Sequence, residues 1–193
     1  TKAGNHLAID SSVFNVFTAK DPELADQITT RPDGDSRFHH YIPFDSFVNT
    51  VENYPYPFVQ AGVCWQFPCV VPSDWEAQNI QRSNNPDTVR DMKFALDATV
   101  IKKGVYPLVF HPHGWIRNDQ IVDLINHAHS KYGKRVKFLT FRDCLERINK
   151  HLLKGSSLRA ANGNDNGVRL LDINNDGYMD VVIGDGERQL TRI

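Results

Sequence analysis

The segment of residues 108–115 (LVFHPHGW) places histidines directly after an apolar run. In α/β proteins, ligand chemistry gathers where strands end at their carboxyl side. His111 lies at that point, and the near-neutral pKa of an ordinary histidine suits it to proton transfer. We therefore select His111 as a candidate catalytic acid or base, with His113 and Trp115 as candidate residues of its pocket.

A second group of chemistry-bearing residues lies in residues 72–79 (PSDWEAQN). A carboxylate such as Asp74 can orient a histidine and stabilise its charged form. The indole of Trp75 can form an apolar wall against a sugar or an acyl group. The alternative is a structural role, because Ser73 or Asp74 can equally be a helix cap. Asp74 is the second candidate catalytic residue, and Trp75 joins the candidate substrate pocket.

Oxygen donors alternate in residues 172–180 (DINNDGYMD) near the carboxyl end. Calcium takes six to eight oxygen ligands, and alternate residues of a tight loop turn toward one centre. Gly177 permits the sharp bend. A solvated acidic turn is the alternative, since Asp, Asn and Gly are favoured in turns. We predict a calcium site whose ligands are Asp172, Asn174, Asp176, the carbonyl of Tyr178, and Asp180.

Three amphipathic segments are predicted to be helices that position these residues. The first begins at an Asn85–Pro86 cap, the second begins near Asn118 or Asp119, and the third begins after Thr140. The three are predicted to end at Gly104, Gly133 and Gly155. On the second helix, His127 and His129 are expected to face solvent.

Two apolar runs of strand length separate the helices, at residues 105–111 (VYPLVFH) and 135–140 (RVKFLT). Alternation of helices with such runs predicts an α/β fold with parallel strands. The composition then changes to Ser, Asn, Gly and Asp. We therefore predict an α/β domain over residues 1–155 and a short β repeat over residues 156–193.

The overall composition excludes several classes of protein. The 193 residues include 22 Lys and Arg against 23 Asp and Glu, a net charge of −1 with no basic excess for nucleic acid. No apolar run approaches the roughly 20 residues that cross a bilayer. The chain begins with Thr1, so it is expected to be processed or part of a longer protein. Cys64 and Cys69 are compatible with a disulfide, and buried free thiols are the alternative.

Residues 6–150 resemble the carboxyl-terminal part of polysaccharide deacetylases of the NodB homology family. The motif HPHGW, the helix QIVDLINHAHSKYG and the segment KRVKFLTFRDCLERIN carry the resemblance. It implies part of a deformed (β/α) barrel that acts on a carbohydrate. It also implies that His111 protonates the leaving amine and that Asp74 is its partner.

The family's metal-binding motifs have no counterpart in this sequence. Members hold a divalent metal such as zinc with one Asp and two His, and a second Asp acts as base. Here Asp10 is a lone carboxylate, and the adjacent His39 and His40 point to different sides. The chain therefore contains no catalytic metal ligands, and the resemblance implies that these 193 residues alone are inactive.

An EF-hand loop would need Glu at the position of Ile183, so the acidic loop does not fit that motif. Because its flanks are β-like, it resembles the calcium loop of FG-GAP or VCBS repeats. This resemblance implies a partial propeller-type repeat and a secreted, periplasmic or cell-surface location. Two alternatives to the deacetylase remain open: an extracellular calcium-binding adhesion module without catalysis, and a hydrolase of small cyclic amides.

Overall fold

The computed structural model describes residues 7–42 and 49–193, and they divide into two compact units. The central unit comprises Ser11–Tyr56 and Phe67–Lys137. The carboxyl-terminal unit comprises Thr1–Asp10, Pro57–Gln66 and Phe138–Ile193. The predicted boundary near residue 155 stays a prediction.

Two long helices dominate the central unit, as the sequence predicted. Helix α3 spans Pro86–Ile101 and α4 spans Asn118–Tyr132. Helix α3 begins where it does because the Asn85 side chain accepts the backbone N–H of Asp87 at 3.0 Å. Helix α4 ends at Gly133, whose φ of +52° is costly for other residues. Apolar residues of the two helices pack into one core: Val89, Met92, Leu96, Leu124 and Ala128.

A small parallel sheet leads the chain to the site. Strand β2 (Phe14–Val16) lies between β3 (Thr50–Glu52) and β6 (Cys69–Val70). The chain leaves β6 and enters the one-turn helix α2 (Asp74–Glu76), so the sheet delivers Asp74 to a defined position. The unit also contains a short helix α1 (Asp26–Thr29), a 3-10 turn (His39–Tyr41) and a π-helical turn (Ala77–Gln81).

The two strands predicted between the helices are wrong. Among the described residues, neither 105–111 nor 135–140 belongs to a sheet. In the first run, the Val105 N–H donates to the carbonyl of Pro55, a loop residue, and Pro107 has no N–H for a ladder. In the second, a 3-10 turn at Gly133–Arg135 takes up the first residue. An apolar run becomes a strand only when a neighbour completes its hydrogen bonds.

The carboxyl-terminal unit holds two sheets. In the first, β5 (Cys64–Gln66) pairs in parallel with β1 (Ile9–Asp10) and antiparallel with β4 (Phe58–Gln60). The second is the antiparallel sheet β7–β8–β9, at Val168–Leu171, Asp180–Gly184 and Gln189–Arg192. Helix α5 (Phe141–Arg147) begins after Thr140, as predicted, and continues as a π-helical turn at Ile148–Leu152.

The fold class is α/β, with helices and both parallel and antiparallel sheets. The described residues form no closed barrel, so the partial barrel and the propeller-type repeat stay predictions. None of the described helices has the length and apolar character to span a membrane. All three cysteines are free thiols.

Candidate functional site

Asp74 and His111, selected separately from the sequence, are in contact in the central unit. The Nδ1 atom of His111 lies 3.1 and 3.2 Å from the two carboxylate oxygens of Asp74. The backbone N–H of His111 also donates to Oδ2 of Asp74, at 2.5 Å. The Asp74 side chain is 1% exposed and that of His111 is 43% exposed. A buried carboxylate therefore holds both the backbone and one edge of a ring whose surface is open to solvent.

A capping box fixes the position of Asp74. Both the N–H and the hydroxyl of Ser73 donate to Oε2 of Glu76, at 2.7 and 2.6 Å. The N–H of Trp75 in turn donates to the Ser73 hydroxyl oxygen at 3.2 Å. This reciprocal arrangement starts a helix at a defined residue, here Asp74. The sequence analysis named Ser73 as a cap and missed Glu76, although the Ser-x-x-Glu spacing marks it.

Two further ionisable groups, Glu76 and Cys69, are buried next to Asp74. Burial raises the pKa of Glu76, although hydrogen bonds from Ser73 oppose the shift. Burial also raises the pKa of the Cys69 thiol to about 12, with Glu76 and Asp74 adding to the effect. The Cys69 thiol is therefore un-ionised near neutral pH and adds no negative charge beside Asp74.

Three aromatic rings cluster at the exposed side of the pair. The Trp115 ring centroid lies 4.9 Å from that of His111 and 5.0 Å from that of His113. Gly114 has a φ of +72°, which turns the chain so that these rings meet. Trp75 follows Asp74 on α2 and is partly buried. The structure therefore brings together Asp74, His111, His113 and Trp115, with Trp75 next to Asp74 in the chain.

The arrangement can donate or accept a proton at one defined atom. Asp74 engages Nδ1, and the hydrogen bonds of the described residues leave Nε2 of His111 for a ligand. A carboxylate bound to Nδ1 orients the imidazole and stabilises the imidazolium form. The site therefore has the geometry of an acid–base pair.

We expect opposite tautomers at His111 and His127 when the rings are neutral. Asp74 contacts Nδ1 of His111, whereas Asp97 contacts Nε2 of His127 at 2.7 Å. Each carboxylate accepts the ring proton, so the proton is expected on Nδ1 in one ring and on Nε2 in the other. Imidazole ¹⁵N–¹H correlation spectra above neutral pH distinguish the two forms.

The matched variants for this prediction are Asp74→Asn and Asp97→Asn. Each should remove the tautomer preference of its own histidine and leave the other histidine unchanged. An Nε2–H tautomer at His111 in the unmodified protein would contradict the assigned pair.

The expectation that His127 faces solvent is wrong. Asp97 accepts hydrogen bonds from His127, Lys131 and Tyr132, at 2.7, 2.8 and 2.7 Å. Burial raises the pKa of Asp97, but these hydrogen bonds outweigh it and the pKa lies below its usual value. This contact joins α3 to α4 and has no feature of a ligand site. His129 is exposed, as expected.

The predicted calcium loop joins β7 to β8, whose residues Leu171 and Asp180 pair across the hairpin. Its carboxylates accept backbone N–H groups: those of Asp176 and Gly177 donate to Asp172 at 3.1 and 3.0 Å. The N–H of Ile173 donates to Asp180 at 2.8 Å. Asn174 is linked to Asp176 through its amide at 2.9 Å.

The donor types of this loop are those that calcium takes, but its carboxylates do not converge in this structure, where no three acidic, His or Cys side chains of the described residues lie together as a metal site. The side-chain groups at the predicted positions are carboxylates and one amide; Asn174 and Asp176 are exposed, Asp172 is partly buried and Asp180 is buried. Both oxygens of Asp172 and both oxygens of Asp176 accept N–H groups, so a cation would have to use the second lone pair of these oxygens or displace an N–H donor. The residues that would hold the ion are Asp172, Asn174, Asp176, Asp180 and, through its carbonyl, Tyr178.

A catalytic divalent metal does not fit the residues around His111. In the described parts of the chain, no three His, Cys, Asp or Glu side chains lie together in a way that would hold a metal ion. The two nitrogens of His40 face the Arg31 guanidinium at 2.9 and 2.8 Å, and burial together with Arg31 lowers its pKa.

Comparison with models of known protein families, with characterised proteins and with solved structures finds no match for this chain. Function therefore has to be argued from the residues of the site.

Proposed function

We propose that this chain carries the proton-transfer part of a hydrolase that removes N-acetyl groups from a carbohydrate. The observation that carries the proposal is the contact between the buried Asp74 carboxylate and the exposed ring of His111. An exposed histidine with a buried carboxylate at Nδ1 is suited to give a proton to a leaving group.

Amide hydrolysis needs a proton donor because the nitrogen of an amide is a poor leaving group until it is protonated. In the proposed step, Nε2–H of the His111 imidazolium donates its proton to the amide nitrogen. The carbon–nitrogen bond breaks, its electron pair stays on that nitrogen, and the sugar leaves as an amine. Asp74 holds the ring in position and stabilises the imidazolium before the transfer. The attacking water needs a separate base, which the family that the sequence resembles takes from an Asp of a motif that has no counterpart in this sequence.

The aromatic surroundings favour a sugar as the substrate. Trp115 and His113 present ring faces beside His111, and the apolar faces of sugar rings pack on aromatic side chains. Trp115 would then set the distance between the sugar and Nε2 of His111.

Release of acetate from an N-acetylated chitooligosaccharide tests the proposal. The protein as its gene encodes it, supplied with zinc or cobalt, is expected to release acetate and leave free amino groups. The 193-residue chain alone is expected to release none, because it lacks the family's metal and base motifs. Failure of the gene-encoded protein to release acetate would contradict the proposed reaction, and turnover by the 193 residues would contradict the assignment of roles within it.

The second candidate function is a calcium-binding adhesion module. The observation that favours it is the acidic loop on a β-hairpin, with Leu171 paired to Asp180. In this role, calcium would stabilise the hairpin and the central unit would be a scaffold. The acetate assay separates the two candidates, since an adhesion module releases no acetate.

Calcium is expected to bind the 193-residue chain with a Kd of about 10⁻⁴ to 10⁻³ M, the range of extracellular modules. At tenfold to hundredfold excess over Kd this adds about 1.4 to 2.7 kcal/mol to stability. Isothermal titration measures the binding. The double change Asp172→Asn with Asp176→Asn should abolish the heat, because it removes two carboxylates from the loop.

The control for the calcium titration is Asp33→Asn with Asp35→Asn, which removes two exposed carboxylates from a turn of the central unit. This variant should bind calcium as the unmodified chain does. Absence of heat at millimolar calcium, or equal loss in both double variants, would refute the site.

A further inference from the structure

A small cavity of about 60 Å³ lies in the carboxyl-terminal unit, apart from the residues described above. Part of its wall is apolar and consists of Ala8, Val63, Leu145 and Leu158. The volume corresponds to about two water molecules. That is comparable with the space taken by one small group of four non-hydrogen atoms.

Three polar residues of the lining each carry a buried atom that has no hydrogen-bond partner. These atoms are Nε1 of Trp65, Oδ1 of Asn149 and Nε of Arg159. Trp65 is 1% exposed, so its indole N–H cannot be satisfied by bulk water. An unsatisfied buried group costs about 1–3 kcal/mol, and native proteins rarely leave several around one cavity. The three atoms are therefore expected to share a ligand in the cavity.

The structure holds these atoms in fixed positions. Trp65 is the middle residue of β5, which is paired on both sides. The Arg159 guanidinium is anchored because Nη1 donates to the Gly163 carbonyl at 3.1 Å and Nη2 to the Gly62 carbonyl at 2.8 Å. Nε is a further donor of the same group, and it is buried without a partner. Asn149 lies in the π-helical turn after α5.

The donor and acceptor pattern matches a secondary amide. A carbonyl oxygen has two lone pairs and can accept from both Trp65 Nε1–H and Arg159 Nε–H, while an amide N–H can donate to Asn149 Oδ1. The apolar wall suits a methyl group. A carboxylate would satisfy the two donors but would face the Asn149 oxygen without a proton to offer. Water matches the polar atoms and leaves the apolar wall without a partner.

We propose that this cavity is a binding subsite for the acetamido group of an N-acetylated sugar, separate from His111. The choice of a sugar rests on the proposed function, whereas the choice of an amide rests on the three unpartnered atoms. Such a subsite would hold an N-acetyl group that is not being hydrolysed.

Titration of the 193-residue chain with N-acetylglucosamine tests this subsite. The indole ¹⁵N–¹H resonance of Trp65, identified as the one lost in Trp65→Phe, is expected to shift saturably with a Kd of about 1–10 mM. Glucosamine and sodium acetate should not shift it, because neither offers a carbonyl together with an amide N–H.

Asn149→Leu removes the acceptor and should weaken the binding at least about tenfold. Asn126→Leu makes the same change at an exposed position of α4 and should leave binding unchanged. The titration of the unmodified chain decides the matter even if Asn149→Leu fails to fold. If N-acetylglucosamine does not shift the Trp65 resonance, the proposal is overturned. A cavity that holds only water would give that result. An equal response to glucosamine or acetate also overturns the proposal.

Failure of the proposed subsite and failure of the proposed hydrolase activity give different results. His111→Ala should keep the Trp65 response while losing acetate release. Acetate release without a Trp65 response would overturn the subsite and leave the hydrolase intact.

Discussion

Replacing His111 with alanine is expected to lower kcat for acetate release by about 10²- to 10⁴-fold, the usual contribution of a positioned general acid. KM should change much less, because the proton is transferred in the transition state and not in the ground state. The comparison requires the gene-encoded protein and an N-acetylated chitooligosaccharide, with acetate measured as product.

Asp74→Asn should give a loss of similar order without removing the ring. The amide is close to the carboxylate in shape, but it does not stabilise an imidazolium and its NH₂ group cannot accept the Nδ1 proton. His111→Ala combined with Asp74→Asn should be hardly worse than His111→Ala, since Asp74 acts through the ring. Additive losses in the double variant would show that the two residues do not work as a pair.

The control for both variants is His129→Ala, on the exposed side of α4. It tests whether a histidine-to-alanine change disturbs activity in general. Acetate release by His111→Ala at the rate of this control would contradict the assignment of His111 as the acid.

Asp91→Ala is expected to lower the free energy of unfolding by about 3–5 kcal/mol, because it leaves buried partners without their charge. Asp91 is fully buried on α3 and accepts hydrogen bonds from Arg37 at 3.1 Å and from Tyr41 at 2.9 Å. Arg37 is 5% exposed and also donates to carbonyls at the end of α1. Its guanidinium would remain buried without a counter-ion.

Tyr41 adds to the cost of the Asp91 substitution. Burial raises the pKa of the Tyr41 phenol, and the adjacent Asp91 raises it further, so the hydroxyl stays a donor. Gln81 donates to the oxygen of that hydroxyl at 2.6 Å, which leaves Asp91 as the acceptor for its proton. In the variant, the hydroxyl would lose that acceptor inside the unit.

Urea denaturation followed by far-UV circular dichroism measures this change, with Asp123→Ala as the matched control. Asp123 is also a helical aspartate in an ion pair, with Lys93 at 2.6 Å, but its side chain is 59% exposed. An exposed pair contributes at most about 1 kcal/mol. Equal losses in Asp91→Ala and Asp123→Ala would contradict the structural importance of the buried network.

The sequence by itself determined the features that depend on near neighbours. The Asn85–Pro86 cap predicted the start of α3, and Gly133 predicted the end of α4, because caps act within a few residues. Helix α3 ends at Ile101, three residues before the glycine predicted to terminate it. The alternating donors of the acidic loop and its β-like flanks are local for the same reason. His111 and Asp74 could also be selected, because residue type and position after an apolar run are visible in the sequence.

Only the tertiary structure decided which of these residues meet. Asp74 and His111 are 37 residues apart, and the contact depends on how β6, α2 and the segment after Pro107 pack. The same dependence on packing explains the two predicted strands that form no ladder, since a strand needs a partner that local pattern cannot supply.

The buried Asp91 network and the cavity beside Trp65 also belong to the tertiary structure. Arg37 lies 54 residues before Asp91, and Trp65 lies far along the chain from Asn149 and Arg159. Burial makes these groups costly to leave unpaired, and burial is a property of the packed chain. The sequence identified the residues capable of chemistry, and packing determined which of them have partners.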